Sequence, residues 1–325
     1  MPENLEFPPG FHLRPVSVDD APSVARVINA CMLVEIGRRW TTEERIRTEL
    51  TSPGIDLAKD HPVVVADDGE LVGYLEIAAA GDPLDQVETI PFVDPAFWGR
   101  GLSSFLLEAG ERRAREIVAA ARVPGPVGLL VARIDGNEHA ERLFVSRGFV
   151  PIRRFHLMRI EHLESPPPPT IPEGLQIRAF ERDRDARAVY DAMMEAFADH
   201  WGSDPTSFEQ WLHLEADGAD FDPNLWFIAF DGDQVAGLAL CAASTPSSPD
   251  TAEVNDLAVR RPWRRRGLGL ALLLSAFRAF AERGIEAAEL GVDSANPTGA
   301  TRLYERAGMT PVYAWEWWRK DLHAG

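Results

Sequence analysis

Two cysteines in 325 residues, Cys31 and Cys241, are too few and too far apart for a disulfide framework, and neither sits in a metal or redox spacing. Basic charge is scarce as well: 33 Lys and Arg stand against 51 Asp and Glu, a net charge of −18. That balance argues against a broad nucleic-acid surface and leaves room only for a local basic patch holding a small polyanion. Long apolar runs are missing. The longest, "GLGLALLLSAF", stops at Arg278 and is too short to span a bilayer. The opening "MPENLEFPPGFHLRP" lacks a basic-then-apolar leader pattern. These absences set the expectation of a cytoplasmic chain that works without metal, membrane or nucleic acid. With 45% apolar and 9% aromatic residues there is material for packed cores, and the length suits two domains of about 150 residues.

What the sequence does contain is a duplication. "FHLRPVSVDDAPSVARVINACM" is answered by "LQIRAFERDRDARAVYDAMMEAF", and "VVVADDGELVGYLEIAAA" by "WFIAFDGDQVAGLALCAA". The first pair reads as strand, turn and amphipathic helix; the second as two strands joined by an Asp/Gly turn, a hairpin signal. "FWGRGLSSFLLEAGERRARE" and "WRRRGLGLALLLSAFRAFAERG" each place a Gly turn before a long helix. "NEHAERLFVSRGF" and "NPTGATRLYERAGM" each give a short helix closed by glycine. "ESPPPPT" between the copies is a stiff extended spacer. The expected organisation is therefore a domain over 1–164, a Pro-rich linker over 165–170 and a domain over 171–325. Each is α/β, a mixed and mostly antiparallel sheet flanked by helices.

The acidic chain concentrates arginine at one place, "RRPWRRRGLGLALLLSAF", where a strand "EVNDLAV" meets a Gly turn and a helix. Glycines there let backbone N–H groups approach a phosphate, the helix dipole adds positive potential, and arginines add charge-assisted hydrogen bonds. The alternative is a solvated basic helix start.

Arg264-Arg265-Arg266-Gly267-Leu268-Gly269 resembles the acyl-CoA pyrophosphate loop of the GNAT superfamily of N-acetyltransferases, Gln/Arg-x-x-Gly-x-Gly/Ala, and the following "AAELGVDSANP" and "LYERAGM" match the next elements of that family. The likeness runs through both halves, more specifically in the second. The tandem arrangement resembles mycothiol synthase and its relatives. It implies acetyl-CoA as co-substrate and a small-molecule amine as acceptor, with monomer and homodimer both open. It implies backbone pairing of Leu257, Ala258 and Val259 with the pantetheine arm, and of the 264–269 turn with the pyrophosphate. Arg260 and Arg261 either reach the adenosine 3′-phosphate or stand solvated. Glu253 falls at the position of the family's general base, with Asp256 as second candidate and acceptor neighbour. Tyr304 matches the proton donor to the departing thiolate, and Asn296 either binds the pantetheine amide or caps a helix. His200 and Trp201 fall where the acceptor cleft is bordered.

The first half departs from this pattern. Val93, Gly99, Arg100, Gly101 and Ser103 mark a possible second coenzyme site, but Trp98 replaces the leading arginine and Phe144 the tyrosine. An ungapped count puts Val87 at the base position, with Glu88 on the opposite face. Chemistry is thus expected in the second half. From Ala188 to Val259 there is no Lys or Arg and there are fourteen Asp and Glu, either a solubilising surface or a field selecting a cationic acceptor. Two other readings are mycothiol synthase itself and a non-catalytic acyl-CoA-binding regulator, the latter disfavoured by Glu253 and Tyr304.

Overall fold

The computed structural model describes residues 7–81, 83–198, 200–201, 206–218, 220–296 and 299–323. The chain runs β1 (Phe11–Pro15), α1 (Ala21–Glu35), α2 (Glu43–Leu50), β2 (Pro62–Ala66), β3 (Leu71–Ala80), β4 (Gln86–Val93), α3 (Leu102–Ala121), β5 (Val127–Ile134), α4 (Glu138–Ser146) and β6 (Val150–Glu161). The second pass gives β7 (Gln176–Ala179), α5 (Arg182–Phe197), α6 (Phe208–Trp211), β8 (Phe227–Asp231), β9 (Gln234–Ala242), β10 (Thr251–Val259), α7 (Leu268–Glu282), β11 (Ala287–Asp293), α8 (Ala300–Arg306) and β12 (Thr310–Leu322). No helix among the described residues is long and apolar enough to cross a membrane.

The two passes use the same devices. An Asp/Gly turn closes each hairpin, with Gly69 and Gly232 at positive φ. A forked Arg–Asp pair ties the first strand to the following helix: Arg14 to Asp20 at 2.7 Å through both nitrogens, and Arg178 to Asp185 at 2.6 and 2.8 Å. The Arg14 guanidinium holds the Asp20 carboxyl down at about 2. This lowered value stabilises the fold above the ordinary carboxylate range, and the gain is lost as pH falls from about 4 to about 2.

Compact packing does not follow the linker. One unit comprises Met1–Arg153 with Trp315–Gly325, the other Arg154–Ala314. In the first, strands run in the order β1-β2-β3-β4-β5-β12, and Trp315–Leu322 of β12 pairs antiparallel with Ile134–Val127 of β5. In the second the order is β7-β8-β9-β10-β11-β6, and Phe155–Glu161 of β6 pairs antiparallel with Asp293–Ala287 of β11. Among the described residues, β4/β5 and β10/β11 are the parallel pairings within these sheets. Each unit is thus completed by the last strand of the other half, where the repeat alone suggested division over 164–171. The physical reason is burial. Trp318 and Leu322 lie in the first unit's core with Phe144 and Phe149, and Met158 lies in the second unit's core.

This exchange predicts that residues 1–164 made alone will not fold cooperatively. Losing buried Trp318 and Leu322 removes several kcal/mol and leaves the β5 edge open. Far- and near-UV circular dichroism of the separate fragment, then of the two fragments co-expressed, checks this; cooperative unfolding of 1–164 by itself contradicts it.

Candidate active site

The site begins with an irregularity in β10. Glu253 and Val254 pair with Ala242 and Cys241, but Asp256 pairs with Leu240, so Asn255 is an extra residue in the ladder. Such a bulge reverses the alternation of side chains beyond it. Ala252 and Val254 enter the core beneath α7, whereas Ala258 enters the core beneath α5 with Leu238 and Leu240. Glu253 and Asp256 consequently share the α5 face, although three residues apart they would otherwise oppose each other.

Beside the bulge, β10 and β11 diverge. They pair only from Thr251–Glu253 to Ala287–Glu289, so beyond Glu253 the β11-facing edge of β10 has no strand partner. The Arg260 N–H bonds to Ala236 O toward β9. By alternation Leu257 and Val259 turn their N–H groups into the open wedge, while Ala258 turns its own toward β9.

The wedge leads to the basic turn. Arg265 and Gly267 have φ of +62° and +89°, and α7 begins at Leu268 with Gly267 as its N-cap. Alternating left-handed residues before a helix start form a concave set of N–H donors, an anion cradle. A Cβ at Gly267 meets no atom within 4 Å, so the cradle is open there; at Gly269 it would lie 3.0 Å from Leu303, which requires a small residue where α7 approaches α8. The arginines divide their work. Arg264 donates from Nε to Val259 O at 2.9 Å and from Nη2 to Ala196 O at 3.2 Å, bracing β10 against α5. Arg266 bonds Glu173 O at 3.1 Å, and Arg265 is exposed. Arg260 donates from Nε to Glu195 at 2.8 Å and lies over Trp263.

Across the wedge, Tyr304 is buried to 7% exposure on α8. Its hydroxyl has no hydrogen bond among the described residues. Burial, and then the Asp256 charge, push it up to about 12. Asp256 itself is pushed up to about 6 by burial. A carboxyl raised in the folded state makes the protein less stable as pH rises through that value. Asp256→Asn is therefore expected to stabilise the chain by about 1–3 kcal/mol at pH 8, an advantage that shrinks between about pH 6 and pH 4. Denaturant unfolding at pH 8 and pH 4 reads it; equal stability of the two chains at pH 8 contradicts it.

Just after α5, His200 packs its ring edge-on to Phe197 at 4.8 Å, and Trp201 lies 6.0 Å from Phe155. Phe155 is the residue the sequence did not offer. It belongs to β6, from the first half, and points away from Met158 and Ile160 of the α7-side core, onto the face of Glu253 and Asp256. Several acids of the 188–259 stretch are already paired: Asp191 with Arg187, Glu195 with Arg260, Asp217 with Arg182 and Asp222 with Arg283. Asp199 and Asp204 lie outside the described residues. Asn296 does not occupy the N-cap of α8, which is Gly299.

The first unit repeats the frame with different contents. Gly99 and Gly101 hold φ of +76° and +84°, matching Arg265 and Gly267. Trp98 donates its indole N–H to Val93 O at 2.7 Å, the same brace that Arg264 supplies, so its replacement of arginine conserves a bond. β4, however, pairs with β3 in unbroken register from Gly73↔Val93 to Ala80↔Gln86, without a bulge. Pro91 stands at the place of Leu257 and has no N–H for the wedge. The missing residue also corrects the ungapped count. Glu88 pairs with Ala78 and Leu130 as Glu253 pairs with Ala242 and Glu289, so Glu88, not Val87, holds the register position of Glu253 and faces the same way. Phe144 packs against Phe149 and Trp318 at 5.8 and 6.0 Å where Tyr304 stands in the second unit. Asn137 caps α4 and bonds Glu35 at 2.8 Å.

Comparison with known proteins places this geometry. The chain is 30% identical over 251 residues to a mycothiol acetyltransferase of Thermobispora bispora, covering 76% of this chain and 79% of that protein, and 31% identical over 256 residues to one of Acidothermus cellulolyticus, covering 75% and 74%. A GCN5-related N-acetyltransferase from Sphaerobacter thermophilus superposes with a TM-score of 0.76 at 32% identity over 97% of this chain and 96% of that one. A tandem GNAT protein from the clavulanic acid biosynthesis pathway shares the fold, with a TM-score of 0.70 at 17% identity over 97% and 99%. The sequence model described as the acetyltransferase (GNAT) family matches residues 31–149 and 186–309, three-quarters of the length, and the chain belongs to that family as an acyltransferase with two tandem domains.

Proposed function

We propose that the second unit transfers an acetyl group from acetyl-CoA to the primary amine of a small cationic acceptor, by direct attack while both are bound. The observation that carries this reading is the opening between β10 and β11, which has inward N–H groups and an open anion cradle at one end and two carboxylates on the α5 face at the other. The cradle of residues 264–269 receives the pyrophosphate, and the Leu257 and Val259 N–H groups pair with the pantetheine arm and polarise the acetyl carbonyl. An alkylammonium near ~10.4 must lose a proton before attack. Glu253 takes it, directly or through one water, and passes it to solvent; the second N–H proton, shed as the tetrahedral adduct collapses to the amide, leaves by the same carboxylate, while Tyr304 gives its phenolic proton to the departing thiolate and is reprotonated from solvent. Arg264 holds the end of β10 in place for this, as a brace rather than a phosphate ligand.

The similarity to mycothiol acetyltransferases favours one narrower acceptor, the cysteinyl amine of a pseudodisaccharide. Thiol release from acetyl-CoA with an amine panel, that amine included, separates the two. The general reading expects the best acceptor to be cationic, with kcat/KM falling as salt rises, because exposed charges are screened over about 8 Å at physiological ionic strength. Four of the acids are neutralised by arginine, so the fall is expected to be only a few-fold. A neutral best acceptor with salt-independent kcat/KM contradicts selection by charge.

A further inference from the structure

Asp256, half-buried, differs from the fully buried acids of its unit. Asp185 is held by Arg178 at 2.6 Å and Glu289 by Arg159 at 3.2 Å. The Asp256 carboxylate has no hydrogen bond and no ion pair among the described residues. Cys241 and Tyr304 lie near enough that, after burial, its charge pushes both of them up. Directly across the ladder is Leu240, and two positions along the same face is Ala258. A carboxylate set among apolar groups with no cation costs stability that a hydrophobic residue would not. The bulge at Asn255 brings it to the acceptor face with Glu253, and the Trp201–Phe155 pair belongs to that same face. Function accounts for such a group when something outside the chain completes it.

We infer that Asp256 receives a second positive charge of the acceptor, so that the preferred acceptor carries two cationic nitrogens, one attacking beside Glu253 and one seated on Asp256. This rests on the acetyltransfer reading above and deepens it. Because the bulge absorbs one residue, the two positions lie about two strand steps apart, roughly 6–7 Å between backbone positions. Short-chain diamines and basic amino-acid derivatives with a comparable spacing fit. The aromatic pair of Trp201 and Phe155 offers a π face to such a cation. A cation on Asp256 also has a consequence for chemistry. It cancels the negative charge that helps to hold the Tyr304 proton, so the donor is eased only when the acceptor is in place.

The test uses the full chain with butane-1,4-diamine and butan-1-amine as probes. Each is titrated calorimetrically in the presence of coenzyme A, and each is assayed for thiol release with acetyl-CoA. Wild type is expected to favour the diamine by about tenfold or more in affinity and in kcat/KM, a charge-assisted hydrogen bond's worth. In Asp256→Asn the preference should shrink to within about threefold, and Asp256→Glu should keep much of it. The Asn variant is expected to be the more stable protein, so a folding defect does not confuse the result. A wild type that binds both probes equally, or an Asn variant that keeps the diamine preference, overturns the inference. Coenzyme binding without thiol release from any amine refutes the acetyltransfer reading instead, and the calorimetric ratio still decides the role of Asp256.

Discussion

Gly267→Asp is expected to weaken acetyl-CoA binding by at least about a hundredfold, some 2.7 kcal/mol, while leaving the chain folded. Three features of the turn combine in this. Gly267 holds φ at +89°, a conformation that costs other residues about 1 kcal/mol or more. A Cβ there would meet no atom within 4 Å beyond its chain neighbours, so an added side chain does not collide with the fold and brings its carboxylate to the turn. The carboxylate then repels the phosphate that the helix start and the backbone N–H groups are arranged to attract. Calorimetric titration reads the affinity, and circular dichroism confirms the fold. The matching change in the first unit, Gly101→Asp at φ +84°, is the control for strain. Unaltered affinity in folded Gly267→Asp would remove the pyrophosphate from this turn.

Tyr304→Phe is expected to lower kcat by about 10²- to 10⁴-fold with coenzyme affinity changed by less than about threefold. The ring packs in the core and is kept by phenylalanine; what is lost is a hydroxyl that has no partner among the described residues. Buried and raised to about 12, that hydroxyl retains its proton across the working pH range. The converse change, Phe144→Tyr, should add no rate. A missing carboxylate is not the reason, since Glu88 holds the register position of Glu253. Two other features stand instead: Pro91 denies the wedge an N–H, and Phe144 is wedged between Phe149 and Trp318. Full activity in Tyr304→Phe, with loss of activity on disabling the 98–103 turn, would exchange the roles of the two halves.

Much of the frame was legible because it depends on local signals. The hairpins announce themselves through Asp-Gly, the anion turn through Gly267 and Gly269, and the duplication through repetition of both. The strand exchange was not legible, because β6 and β12 follow their own repeats in sequence and nothing in "FHLMRI" or "WEWWRKDL" says which sheet each completes. Phe155 was missed for that reason. The bulge at Asn255 left one faint trace: asparagine is unfavourable inside a strand, and a one-residue change in spacing separates the repeats there. Counting without a gap carried that residue forward as an error, placing Val87 where Glu88 belongs. Trp98 illustrates the opposite failure. A motif comparison reads it as a lost arginine, while its indole N–H makes the bond to Val93 that Arg264 makes to Val259.

The central claim is that amine acetylation takes place in the second unit, with the coenzyme on its Gly turn. The most direct measurement is amine-dependent thiol release from acetyl-CoA by three full-length chains: wild type, Gly267→Asp and Gly101→Asp. Saturable release by wild type and Gly101→Asp, with release at the uncatalysed level in Gly267→Asp, is the predicted result. Release that survives in Gly267→Asp and disappears in Gly101→Asp would contradict it.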